Sequence, residues 1–164
     1  MFPTAMQDEA ARLLDAFRAK GLRLATAESM TGGLVAALLT EVPDSSDVLE
    51  RGFVTYTNEA KHESLGVPNS VLARHGAVSE PVARAMAEGA LRHSHADIAV
   101  SVTGLAGPGG GTDAKPVGLV HLAAARAGSP TLHEEYRFGD IGRDQVRTKA
   151  VEAALSLLRR ALEP

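Results

Sequence analysis

The chain contains no cysteine and no tryptophan, and aromatic side chains make up only 4% of it. Without thiols it has no disulfide, no thiolate metal ligand and no cysteine nucleophile, and its redox compartment cannot be read from cysteine usage. So few aromatic rings leave little from which to build stacking platforms for nucleic-acid bases. A run of basic residues is missing too. The formal net charge is −3. That disfavours a nucleic-acid or anionic-membrane surface and leaves room only for a local basic site. No apolar stretch is long enough to span a bilayer. The first residues, "MFPTAMQDEA", lack a basic segment followed by an apolar run. No secretory signal is read there, and the cytoplasm is the expected location.

What is present suits one globular domain. The 164 residues, 45% of them hydrophobic, suffice for a sizeable core. No linker and no internal repeat is visible, so residues 1–164 are expected to form a single domain. Apolar residues at Ala10, Leu13, Leu14 and Phe17 predict a helix in "MQDEAARLLDAFRAKG", with acids early and Lys20 late. "LRLATAE" reads as a short strand, and "TGGLVAALLTEVP" as a helix stopped before Pro43. "VLERGFVTYTN" predicts a strand with Val54 and Tyr56 on one face. Two short helices follow in "NEAKHESLGV" and "PNSVLARHG". Ser79 can cap a clearer helix whose apolar stripe is Val82, Met86 and Ala90.

"ADIAVSVTG" is the most strand-like run and is expected at the sheet centre. "VGLVHLAAA" and the more polar "TLHEEYRF", joined by "GSP", predict an antiparallel hairpin with the second strand outermost. The last segment repeats apolar residues at Val146, Ala150, Ala153 and Leu157, a long helix. The expected fold class is α/β: a three-layer α/β/α sandwich with a mixed, mostly parallel sheet.

Four places carry candidate chemistry. In "AESMTGG", between a strand and a helix, Ser29 and Thr31 place hydroxyls at the helix mouth. Gly32 and Gly33 permit close approach to the backbone, and free helix N–H groups can hold a phosphate or an oxyanion. Either hydroxyl can instead be a simple N-cap, and Glu28 can orient a neighbour or satisfy the same terminus. In "YTNEAK", Lys61 is a base for a serine hydroxyl if burial lowers its pKa, with Tyr56 relaying the proton or orienting the lysine. The plainer alternative is a solvated lysine and a sheet-edge tyrosine.

The third place is the glycine- and proline-rich "TGLAGPGGGTDAKPVG". Thr103 and Gly104 end the central strand. Ala106, Gly107, Gly109, Gly110 and Gly111 can turn backbone N–H groups toward one anion, with Thr112 and Lys115 adding a hydroxyl and a charge. It matches neither a Walker loop nor a dinucleotide fingerprint, and a tight crossover loop is the competing reading. In "GDIGRDQVR", Arg143 and Arg147 share a helical face. Either can clamp a phosphate or carboxylate, or pair with surface acids. The six histidines show no metal-ligand spacing.

The ordered set "AESMTGG", "GFVTYTNEAKHESLGV", "VSEPVARAMAEGA", "SVTGLAGPGGGTDAKPVGLV" and the terminal Arg143, Val146, Arg147 helix resembles the CinA C-terminal domain family across nearly the whole chain. Characterised enzymes of that family are nicotinamide-nucleotide amidohydrolases. The resemblance implies an α/β/α sandwich that hydrolyses the carboxamide of nicotinamide mononucleotide to nicotinate mononucleotide and ammonia. It places Ser29 as nucleophile, Lys61 as base and Tyr56 as proton relay. It also places Thr103 and Gly104 in the site, and the residues themselves add Glu28, Thr31, Gly32, Gly33, Ala106, Gly107, Gly109, Gly110, Gly111, Thr112, Lys115 and Arg143 around a nucleotide substrate. It implies no metal, no cofactor and a homo-oligomer, with a dimer favoured. Relatives commonly carry cysteine where this chain has Met30. Many also carry a larger N-terminal domain, so this chain reads as a stand-alone form. The other readings are a non-enzymatic nucleotide-binding or regulatory module and a hydrolase of another small amide.

Overall fold

A computed structural model describes all residues, 1–164. Eleven regular elements follow one another: α1 (Thr4–Ala19), β1 (Leu24–Glu28), α2 (Leu34–Thr40), β2 (Leu49–Val54), α3 (Asn58–Leu65), α4 (Asn69–His75), α5 (Glu80–Arg92), β3 (Ile98–Gly104), β4 (Leu119–Arg126), β5 (Leu132–Arg137) and α6 (Arg143–Ala161), with a single 3₁₀ turn at Ser45–Asp47. The strand order is β2-β1-β3-β4-β5, which puts β3 at the centre. β1 pairs in parallel with β2 and with β3, whereas β4 is antiparallel to both β3 and β5. Four strands therefore point one way and β4 alone runs against them.

The two faces of the sheet are built from different residue sizes. On one face Leu24, Ile98, Val100, Val102, Val120 and Leu122 pack into a large cluster with α1, α2 and α6. On the other, the alternate positions are small: Ala25, Ala27 and Ala99 meet Leu65, Val82 and Met86, while Ala123 and Ala125 meet Ala83 and Ala87. This floor of alanine methyls lets α5 lie close to the sheet. Ser101 reaches across it, its hydroxyl donating to the Ala83 carbonyl at 2.6 Å.

The sequence pattern carries most of these elements because burial follows it. Ala10, Leu13, Leu14 and Phe17 are fully buried on α1, as are Val82, Met86 and Ala90 on α5. Ser79 caps α5, accepting from the Val82 N–H at 3.4 Å. Two boundaries differ from expectation. Helix α1 starts at Thr4 behind Pro3, so its acids fall beyond the first turn. Strand β2 ends at Val54, and Tyr56 projects past the sheet edge. The sheet ladder reaches only one residue further, through the Thr55 N–H to the Glu28 carbonyl at 2.9 Å.

Gly89 is where α5 crosses the end of α3. A Cβ there would lie 1.9 Å from the Leu65 carbonyl oxygen. Gly89→Ala gains helix propensity of about 1 kcal/mol, but the backbone clash dominates. The expected result in urea denaturation is a net loss of about 2 kcal/mol. A variant as stable as the parent would show that the α3–α5 contact yields freely.

Candidate active site

The C-terminal ends of β1, β2 and β3 lie along one edge of the sheet, because these neighbouring strands run in parallel. In open α/β sheets that edge is where ligands bind. Here it brings together three segments far apart in sequence: Ser29 after β1, Tyr56 and Lys61 after β2, and Thr103 with Gly104 at the end of β3.

The turn after β1 is held from several sides. Its Ser29 N–H extends the ladder to the Val102 carbonyl at 3.0 Å. Gly32 and Gly33 adopt φ of +62° and +105°, left-handed values that glycine takes without the Cβ penalty. Neither Ser29 nor Thr31 caps α2. Glu28 does so, its carboxylate accepting from the Val35 N–H at 2.9 Å and the Ala36 N–H at 3.1 Å. Thr31 donates its hydroxyl to the same carboxylate at 2.6 Å. The Leu34 and Ala37 N–H groups are taken by the carbonyls of Thr31 and Gly33. The N–H groups of the first three residues of α2 are therefore all satisfied within the chain. Arg147 clamps the turn from α6, donating to the Met30 carbonyl at 3.0 Å and the Thr31 carbonyl at 3.4 Å. The N–H groups of Met30 and Thr31 donate to no acceptor in the chain.

Lys61 enters from α3. Thr57 caps that helix, accepting from the Ala60 N–H at 3.0 Å. Lys61 and Leu65 then share the inner face at (i, i+4) spacing, and both are buried. Lys61 is 1% exposed and Ser29 7%. The amine donates to Ser29 Oγ at 2.9 Å, to the Thr55 carbonyl at 2.8 Å and, more weakly, to the Tyr56 carbonyl at 3.4 Å. Burial without a neighbouring carboxylate lowers its pKa from 10.5 to about 8. At that value a lysine supplies neutral amine at physiological pH, and its lone pair lies within reach of the serine proton.

A pocket of about 280 Å³ opens above this pair. Ser29, Tyr56, Lys61, Thr103, Gly104, Ala106, Gly107, Gly109 and Arg143 line it. Nine of the sequence-predicted site residues thus come together. The Thr103 hydroxyl is committed to the Ala77 carbonyl at 2.9 Å, which pins the opposite wall. Tyr56 is 65% exposed at the mouth. Its hydroxyl accepts from Arg143 at 3.3 Å and makes no bond to Ser29 or Lys61. Arg143 also donates to the Gly107 carbonyl at 2.7 Å. The surface ion pairs that were the alternative for Arg143 and Arg147 do not form.

The remaining predicted residues lie elsewhere. Glu28, Thr31, Gly32 and Gly33 sit behind the serine and shape its turn. Gly110, Gly111 and Thr112 line a neighbouring depression with Arg137 and Asp140. Lys115 turns away and donates to the His75 carbonyl at the end of α4, at 2.6 Å. Sequence reasoning missed Met30, Ala77, Val78 and Leu105 as lining residues. These are apolar and carry no periodic or chemical signal. It weighed Arg147 as a ligand clamp or a partner of surface acids and not as a brace for the turn. No group of three or more His, Asp or Glu side chains is placed to hold a metal ion. His121 and His133 instead stack with centroids 5.2 Å apart.

Fold and site define an α/β/α sandwich with a buried serine–lysine pair at its parallel-strand edge. The family model described as "CinA C-terminal domain" matches residues 6–162, and the chain belongs to that family. A CinA-like protein of Anaeromyxobacter dehalogenans is 58% identical over 145 residues, covering 88% of this chain and 35% of the relative. A putative competence-damage inducible protein of Symbiobacterium thermophilum is 55% identical over 152 residues, covering 87% and 35%. The chain thus spans about a third of the length of these curated relatives. Among solved structures, a competence/damage inducible protein from Agrobacterium tumefaciens matches with TM-score 0.95 at 52% identity, covering 99% of this chain and 98% of that one. A CinA superfamily protein from Klebsiella pneumoniae matches with TM-score 0.90 at 38% identity, covering 96% and 97%. No helix is long and apolar enough to cross a membrane.

The lowered lysine pKa has a stability consequence of fixed sign. Unfolded, Lys61 titrates near 10.5; folded, near 8. Between these values the unfolded chain binds more protons, so this group makes the fold more stable as pH rises. Comparison of the parent with Lys61→Met by urea denaturation should show the parent's relative stability flat below about pH 8 and rising from there to about 10.5. A constant difference across that window would contradict the buried-amine assignment.

Proposed function

We propose that the protein hydrolyses the carboxamide of nicotinamide mononucleotide to nicotinate mononucleotide and ammonia. The single observation that carries this reading is the 2.9 Å hydrogen bond between the Lys61 amine and Ser29 Oγ in a buried site that keeps the amine partly neutral. A serine hydroxyl is a weak nucleophile until a positioned base removes its proton, and this geometry supplies one. The family resemblance supplies the substrate class.

Ser29 Oγ attacks the carboxamide carbon as Lys61 takes its proton. The oxygen that becomes negative is met by backbone donors, of which the Met30 N–H, next to the nucleophile, has no other partner. Collapse of the tetrahedral intermediate breaks the C–N bond as the Lys61 ammonium protonates the amide nitrogen, which leaves as ammonia. Water, deprotonated by the same amine, then releases the acyl group from Ser29 as the acid. The direct contact makes a tyrosine relay unnecessary. Tyr56 and Arg143, joined at the mouth, hold the substrate instead. The guanidinium and the free Gly107 and Gly109 N–H groups suit the phosphate, and that remote binding orients the carbonyl.

Ammonia release from nicotinamide mononucleotide is the test. Ser29→Ala is expected to lose at least ~10³-fold in turnover while still binding the nucleotide. Tyr56→Phe should keep most of kcat. Undiminished turnover in Ser29→Ala would remove the serine mechanism. Binding without ammonia release by the parent would favour a nucleotide-binding module, and release from other amides alone would move the substrate class. Nicotinamide riboside, lacking phosphate, should show KM raised by about tenfold or more.

The pH profile follows from the base. Only neutral Lys61 accepts the proton, so kcat/KM should climb with pH and level off above about 8. At pH 7 roughly a tenth of the enzyme carries the neutral amine. A profile flat from about pH 6 to 9 would contradict Lys61 as base.

A further inference from the structure

A polar cluster beneath the start of α5 takes no part in the chemistry above. His121 on β4 pairs with Glu135 on β5, and His133 pairs with Ala123, so all three side chains share the face that α5 covers. His121 Nδ1 and His133 Nε2 are 2.9 Å apart, a hydrogen-bond distance. Each outer nitrogen meets a carboxylate at ion-pair distance. His121 Nε2 lies 3.7 Å from Glu135, and His133 Nδ1 lies 3.7 Å from Glu80 on α5. The row runs Glu135, His121, His133, Glu80.

Proton counting decides its charge. Each of the contacts in the row takes one N–H. Two neutral rings carry two N–H groups and leave one carboxylate facing a lone pair. Two charged rings carry four and set N–H against N–H between them. A pair with three ring protons, and so one positive charge, fits every contact.

The row ends at a wall of the pocket. Ala77 and Val78 line that wall. Lys115 holds the His75 carbonyl at 2.6 Å, Ser79 Oγ the Gly76 carbonyl at 2.8 Å, and Thr103 the Ala77 carbonyl at 2.9 Å. Next comes Glu80, facing His133. Further along, α5 is fixed to the β4–β5 hairpin by Arg84, which donates to the Thr131 carbonyl at 2.6 Å, and by Thr131, which donates to Glu88 at 2.7 Å. Those distant ties contain no histidine, whereas the tie beside the pocket does.

We propose that His121 and His133 hold one shared proton between Glu135 and Glu80, and that this charge fastens the start of α5, and with it one pocket wall, to the β4–β5 hairpin. Loss of the proton removes the attraction to Glu80. A second proton breaks the bond between the rings. The tie is therefore strongest at intermediate pH, whatever the pocket binds.

The charged groups around the pair come from each neighbouring element. α5 brings Glu80, whose other oxygen pairs with Arg84. β5 brings Glu135, whose other oxygen pairs with Arg137. The loop before β4 brings Lys115, and β3 contributes the hydroxyls of Ser101 and Thr103, both donating to carbonyls. Burial, and after it the charge of His133, holds the His121 ring below the ordinary 6.5; Lys115 adds to this, while Glu135 and Glu80 oppose it. Such a ring belongs to a pair that resists a second proton.

The test uses the full chain labelled with ¹⁵N-histidine, whose ring spectra report which nitrogens carry protons. Between about pH 5 and 8.5 the two rings are expected to protonate in two steps about one pH unit or more apart. In His133→Gln, His121 should titrate about one pH unit higher than its step in the parent. Glu80→Gln should move the upper step to lower pH. Amide exchange then reads the wall through the Ala83 N–H, which donates to the Ser79 carbonyl at 3.0 Å. Between the two steps it should exchange about threefold more slowly in the parent than in Glu80→Gln, and that ratio should shrink on either side. One common step for both rings overturns the shared proton. A ratio constant with pH reports only the loss of a carboxylate from the helix start and overturns the tie to the wall. The parent titration and Glu80→Gln decide the matter even where His133→Gln fails to fold.

Discussion

One buried hydrogen bond, from the Lys61 amine to Ser29 Oγ, organises the rest of the molecule. An amine 1% exposed and without a counter-carboxylate is costly to keep charged. The fold bears that cost by surrounding the amine with neutral acceptors, the Thr55 carbonyl above all. The result is a lysine whose proton is loosely held beside a hydroxyl that needs a base. Moving a carboxylate into contact would stabilise the ammonium and remove the base. The site's chemistry thus depends on an absence of negative charge as much as on the two residues present.

The architecture explains how that arrangement is reached. Parallel pairing of β1 with β2 and β3 sends three loops off the same edge. The serine arrives on one, the lysine on the next, and the wall with Thr103 on the third. Each is fixed by bonds outside the pocket: Glu28 holds the start of α2, Thr57 holds α3, and Arg147 fastens the serine turn to α6. On the α5 side the alanine floor brings the helix close enough for Ser101 to reach it, and Thr103 ties the preceding segment to β3. Packing of small side chains and positioning of the pocket wall are therefore one feature of the fold.

Sequence patterns made the sandwich legible because burial enforces period and alternation. The helical stripes, the central β3 and the outer β5 all follow from apolar spacing. The pairing of Ser29 with Lys61 was legible as chemistry and through the family motifs, although the residues lie 32 apart and only the strand order joins them. Local geometry was harder to read. Thr31 has the composition of a cap, yet its hydroxyl serves Glu28, because a carboxylate placed at the end of β1 reaches two helix N–H groups at once. Tyr56 sits near Lys61 in sequence, but the strand ends before it and its ring swings out to Arg143. In the glycine-rich loop, composition permits many paths, so it could not tell that Gly107 and Gly109 face the pocket while Lys115 leaves to cap α4. Such assignments depend on which partner wins a donor, and that is decided by tertiary contact.

The central claim is that Lys61 is a buried amine poised to take a proton from Ser29. Its most direct test is the titration of the Lys61 side chain itself, followed by heteronuclear NMR on lysine-labelled protein. The account predicts a midpoint near pH 8 for this one lysine. A midpoint at the ordinary lysine value of 10.5 would contradict it.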